Sequence, residues 1–134
     1  MTDHTAIARA AIEAWNTHDA ARVLYCYTKT LVYRDPNTVG EIHGADAFER
    51  YLTKMFSLWE MHWKVTEIHP LRDVDGAAAL WTATLRLRSG GKPVDIVGMD
   101  LALVENERLC RNEVYFDRMA IADYIASASR ETGA

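Results

Sequence analysis

Apolar residues recur at helical spacing along the first part of the chain. Over residues 3–17 they return at Ile7, Ala11 and Trp15, every fourth position, which predicts a helix with one buried stripe. Asp19 is placed to accept the free N–H groups of a first turn, so a second, short helix is expected through Leu24 and Tyr27. Residues 30–35 are β-branched and aromatic and read as a strand, ended by Pro36, which has no N–H to donate. Residues 37–44 read as a loop. Over 45–60 the positions Phe48, Leu52, Met55, Phe56 and Trp59 draw one apolar stripe on a third, longer helix.

The period then shortens to two. Residues 63–69 read as a strand stopped by Pro70, with a turn near Asp75-Gly76. Trp81, Ala83, Leu85 and Leu87 alternate with Thr82, Thr84, Arg86 and Arg88, the pattern of a half-buried sheet. Ser89-Gly90-Gly91 turns into a strand over 94–104, and Glu105-Asn106-Glu107 turns into another over 108–117. A terminal helix is expected over about 120–129. Helical periods first and four antiparallel strands afterwards predict an α+β fold, with helices packed on one antiparallel sheet.

Composition narrows the function classes. A chain of 134 residues suits one domain, and 49% apolar with 25% charged residues is a globular balance that excludes disorder. The net charge of −4 weighs against a nucleic-acid partner, which calls for a concentrated basic surface. Cys26 and Cys110 lie far apart with no metal-ligand spacing, which argues against a zinc module or a disulfide scaffold. Both read as small buried residues rather than nucleophiles. No apolar run is long enough to cross a bilayer and no signal peptide is visible, so a cytoplasmic setting is the default. The five histidines read as surface or structural groups, with His43 at a possible pocket rim, and no metal site is expected. Gly90-Gly91 is a hairpin turn and not a phosphate loop, because no helix follows it.

Two strand ends carry chemistry. In Tyr33-Arg34-Asp35-Pro36, alternation puts Tyr33 and Asp35 on one face: a carboxylate for proton transfer beside a phenol to hold a substrate oxygen. The competing reading gives Asp35 to the following turn. In Glu113-Val114-Tyr115-Phe116-Asp117, Tyr115 and Asp117 share a face, with Glu113 if the strand is regular; here the competing reading is a helix cap. Four tryptophans are many for this length and suit either the core or the walls of an apolar pocket.

These motifs in this order resemble the nuclear transport factor 2-like superfamily, in particular its SnoaL-like branch. The resemblance runs over about residues 7–122. It is carried by Trp15-Asn16-Thr17-His18-Asp19, Tyr33-Arg34-Asp35-Pro36, Gly44 before the helix with Phe48, and Asn112-Glu113-Val114-Tyr115-Phe116-Asp117. It implies a cone-shaped barrel, a strongly bent antiparallel sheet wrapped around about three helices with one deep apolar pocket, and homodimers formed through the sheet. Asp35 before Pro36 matches the proton-abstracting Asp of the ketosteroid isomerases in that superfamily. Their two oxyanion donors, a helix Tyr and a sheet Asp, fall on Ala11 and on Met99, with Asp100 adjacent. Limonene-type epoxide hydrolases are matched at Tyr33 and Asp117, but Asp35 replaces their Asn and Thr82-Ala83-Thr84 their Arg-x-Asp. SnoaL-type polyketide cyclases are matched at Asp117, the acid/base of an aldol ring closure that needs no cofactor.

The resulting expectation is a cofactor-independent cyclase or isomerase acting on a small apolar carbonyl-bearing molecule. Asp35, Asp117 and Tyr33 are its catalytic candidates, and Trp15, Phe56, Trp59, Trp81, Met99 and Tyr115 its substrate contacts. Two carboxyl groups in one apolar pocket push their pKa values apart, which supplies an acid and a base together. The alternative is a non-catalytic ligand-binding or dimerisation module of the same fold.

Overall fold

A computed structural model describes residues 2–131. Its elements run α1 (His4–Asn16), α2 (Ala20–Tyr25), β1 (Tyr27–Arg34), β2 (Ile42–His43), α3 (Ala45–Leu58), β3 (Trp59–Pro70), β4 (Gly76–Leu87), β5 (Val94–Glu105), β6 (Arg108–Phe116) and α4 (Arg118–Glu131). One six-stranded sheet in the order β2-β1-β6-β5-β4-β3 curves without closing, and α1 lies against the inner face of β3 and β4. The expected α+β class holds, with two refinements. The described residues form four helices, and β1 pairs with β6 in parallel, so the sheet is mixed while β3 to β6 are antiparallel as predicted.

Caps set the helix starts. Asp3 accepts from the Ala6 N–H at the head of α1, and Asp19 from the Ala21 and Arg22 N–H groups at the head of α2. Gly44 opens α3 at φ 84°, a backbone conformation that favours glycine, and its N–H bonds the Leu31 carbonyl at 2.8 Å. Two boundaries differ from the periodicity reading. Tyr27 begins β1 instead of ending α2, and Trp59 begins β3 instead of ending α3. In both cases an aromatic residue continues an apolar stripe and also starts a strand, and pairing with the sheet decides for the strand (Trp59 opposite Leu87, Tyr27 opposite Leu109).

Within the Trp15–Asp19 motif, Asn16 and His18 are structural. The Asn16 side chain accepts from the Trp63 N–H at 2.7 Å and donates to the Trp63 carbonyl at 2.9 Å, as a neighbouring strand would. His18 Nε2 accepts from the Met61 N–H at 3.0 Å. Together they satisfy free backbone groups along the sheet-edge strand β3 and tie it to the end of α1.

Candidate active site

Between α1 and the concave face of the sheet lies a cavity of about 710 Å³, counted out through its mouth. Strand alternation determines its walls. Trp59, Met61 and Trp63 face it from β3, Trp81 and Leu85 from β4, and Val114 and Phe116 from β6. Trp15 contributes from α1, so all four indoles line one space. Trp15 and Trp63 meet edge to face at 5.5 Å, as do Trp63 and Trp81 at 6.4 Å.

Asp35 lies just beyond the end of β1, 8% exposed, and accepts four hydrogen bonds. Its Oδ1 takes the N–H groups of Asn37 (2.7 Å) and Thr38 (3.1 Å), which organises the turn after Pro36. Its Oδ2 takes the Tyr33 hydroxyl at 2.7 Å and, in a very short bond, the Tyr51 hydroxyl from α3. Both readings of Asp35 therefore hold at once: one oxygen shapes the loop and the other faces phenols at the cavity. Burial and the adjacent Asp35 charge hold the Tyr33 phenol well above its ordinary pKa, and the same causes raise Tyr51, so both stay donors.

The second carboxyl group of the cavity is Asp100 on β5. Its Oδ1 accepts from Trp81 Nε1 at 2.7 Å and its Oδ2 from Asn112 Nδ2 at 3.2 Å. Asn112, 1% exposed, is oriented by the Tyr27 hydroxyl donating to its Oδ1 (2.8 Å), and Tyr27 in turn accepts from Trp15 Nε1 (3.1 Å). Burial pushes the Asp100 carboxyl up to about 6; the Trp81 and Asn112 bonds oppose this and the Asp35 charge adds to it. Asp100 opens onto the cavity and is half-buried by its exposed surface, but protein surrounds the carboxyl on every other side.

Several predicted positions fall elsewhere. Asp117 does not face Asp35: it is exposed, and its carboxylate accepts from the Met119 N–H at 2.9 Å at the start of α4. The helix cap is the reading the geometry supports, because β6 ends at Phe116 and the chain turns outward there. Met99 and Tyr115, 38% and 45% exposed, project from the outer face of the sheet, where Glu113 is held by Arg111 (2.8 Å) and Arg34 (3.8 Å). A bulge at Cys110 sets this facing: Leu103 pairs with Arg111 and Val104 with Leu109, leaving Cys110 over. Phe56 packs edge-on to Trp15 at 5.8 Å, one layer behind the cavity wall. His43 stands exposed beside Glu41 and does not reach the lining. Burial raises both cysteine thiols, the reverse of an activated nucleophile. Among the described residues no group of three or more His, Cys, Asp or Glu is placed to hold a metal.

Tyr51, Trp63 and Asp100 were missed as site residues. Trp63 was legible, two positions from Met61 and four from Trp59 on a strand that starts earlier than periodicity suggested. Asp100 lay one residue from the assigned position. The inward set on β5 is Ile96, Gly98 and Asp100, not Met99. At Gly98 a side chain would strike the Trp81 ring and lie 2.6 Å from the Tyr115 carbonyl, so glycine leaves room for the indole that holds Asp100.

The profile of the SnoaL-like domain matches residues 8–112. The chain belongs to the SnoaL-like family. Solved structures agree on the nuclear transport factor 2-like fold of this SnoaL-like protein. An isomerase candidate from Bacillus subtilis superposes with a TM-score of 0.83 at 12% identity, covering 93% of this chain and 94% of its own. A polyketide cyclase candidate from Pseudomonas putida gives 0.76 at 16% identity, over 92% and 98%. An epoxide hydrolase of the limonene type from M. tuberculosis gives 0.68 at 23% identity, over 95% and 90%. No curated protein matches the chain significantly. Among the described residues no helix is long and apolar enough to cross a membrane.

Proposed function

We propose that this SnoaL-like protein is a cofactor-independent enzyme of the isomerase or cyclase type, which forms an enol or enolate from an apolar carbonyl compound. The observation that carries this is the pair Asp35 and Asp100 in one tryptophan-walled cavity, Asp35 accepting four hydrogen bonds and Asp100 two. Asp35 is surrounded by donors and suits the charged form, a base for a carbon-bound proton. Asp100, pushed up to about 6, suits the neutral form, whose O–H can donate to a carbonyl oxygen. Ala11 and Met99 implied that such an acid was lacking, and Asp100 supplies it from the adjacent position. Asp117 has no part in this reading.

The test is deuterium wash-in from D₂O at the α-carbon of an apolar bicyclic ketone such as 2-tetralone, followed by mass spectrometry. Exchange well above the buffer rate is expected. A ketone that quenches tryptophan fluorescence but exchanges no faster than in buffer would favour the second reading, a binding module. That reading has its own support: Asp35 already accepts four hydrogen bonds from protein groups.

The proposal includes a homodimer through the outer face of the sheet, in a reducing cytoplasmic setting that suits two free cysteines. Leu80, Met99 and Tyr115 stand side by side across β4, β5 and β6, all exposed, with Val97 beside them at 71%. Met99→Lys should convert a sedimenting dimer to monomer; a wild-type monomer at tens of micromolar would remove the dimer from the proposal.

A further inference from the structure

The charge balance of the cavity points to a narrower ligand class. Among the described residues its lining holds two carboxyl groups and no Lys, Arg or His. Three arginines, Arg34, Arg88 and Arg111, are held by other partners. Arg34 and Arg111 lie over Glu113 on the outer face, and Arg88 donates to the Phe56 carbonyl and lies beside Glu60. Gly98 takes the inward position where a basic residue would have faced Asp100 from the same strand. Among the described residues no cationic side chain meets Asp35 from within the cavity; its four partners are hydroxyls and backbone N–H groups.

The remaining walls are those that favour a cation. Trp15, Trp59, Trp63 and Trp81 surround the space, with Tyr33 and Phe116 beside them. The N–H groups of Trp15 and Trp81 are spent on Tyr27 and Asp100, so these rings offer the ligand π-surface and carbon edges instead of donors. Aromatic faces attract an ammonium group through the ring quadrupole, and more strongly where water is excluded. An anionic ligand would meet two carboxyl groups without a single compensating charge.

We infer that the cavity takes an apolar organic cation, a molecule carrying a protonated or quaternary amine on a hydrophobic skeleton, with the ammonium group against the indoles and its charge balanced by the Asp35 carboxylate. This rests on the cavity being the substrate site, as proposed above, and adds the amine to the substrate class.

The probes are phenyltrimethylammonium and tert-butylbenzene, which differ by N⁺ for C at nearly constant shape. Binding is followed by tryptophan fluorescence and by the indole N–H resonances. The cation is expected to bind about tenfold tighter than its neutral isostere. Asp35→Asn should shrink that ratio while leaving tert-butylbenzene affinity unchanged, which also reports that the variant has folded. Equal binding, or tighter binding of the neutral compound, overturns the cation assignment and leaves the cavity as an apolar site. A preference that survives the substitution overturns the role given to Asp35. Failure of both probes to bind overturns the cavity itself as the ligand site. Enolisation is read separately by deuterium exchange, so the two proposals can fail independently.

Discussion

Asp35→Asn should lower ketone exchange by about 10²–10⁴-fold, the range for removing a positioned general base. The substitution keeps the shape and leaves one oxygen for the N–H groups of Asn37 and Thr38, so the turn after Pro36 survives. The amide nitrogen then replaces Oδ2 and points donors at the Tyr33 and Tyr51 hydroxyls, which must turn away. Leaving those buried groups without acceptors should cost about 1–3 kcal/mol of stability. Urea denaturation separates the two effects: a folded protein with a lost rate is the expected result. Tyr51→Phe is the companion experiment, because it leaves the carboxylate and Tyr33 in place. It should retain most of the rate, and an Asp35→Asn protein with unchanged exchange would take Asp35 out of the reaction.

The second large effect belongs to Asp100 and depends on pH. Its folded-state pKa of about 6 lies above the ordinary carboxyl value of 3.8, so the folded protein holds this proton more tightly than the unfolded chain. The stability from that proton is fully present below about pH 4, falls as pH rises through about 6, and is gone above. Partial access of solvent from the cavity limits the effect to roughly 1–3 kcal/mol. In Asp100→Asn the step between pH 4 and pH 7 should disappear. Urea titrations of both proteins at the two pH values check this, and an equal step in both would place the titrating group elsewhere. The same variant loses the neutral O–H for the substrate oxygen, and exchange should fall by about 10²–10³-fold. In the wild type, exchange should decline as Asp100 ionises.

Much of this was legible in the chain. The two-residue period placed Tyr33 and Asp35 on one face, because alternation is a property of extended backbone that no tertiary contact alters over three residues. It also sent Trp81, Ala83 and Leu85 inward, since only one face of that strand is apolar. The opening helix with Trp15, the Asp19 cap and the order of the longer elements were read correctly for the same reason, each depending on neighbours within a turn or a strand; the two-residue β2, within residues read as a loop, is made only by pairing with β1.

The acid partner of Asp35 was not legible. On β5 both faces carry apolar residues: Val94 and Ile96 on one, Val97 and Met99 on the other, so alternation does not say which face is buried. Pairing with β4 decides it, Ile96 opposite Ala83 and Asp100 opposite Ala79, and β4 has an unambiguous inner face. Asp117 shares a sequence period with Tyr115, but the bulge at Cys110 and the end of β6 turn both out of the cavity. The bond from Tyr51 to Asp35 joins a helix to a strand end sixteen residues away. By itself, then, the sequence determined the elements, their order and the facing of Asp35, because backbone geometry acts locally. Which second carboxyl group shares its cavity was decided by strand register, and register is set by hydrogen bonds and burial summed over the whole sheet.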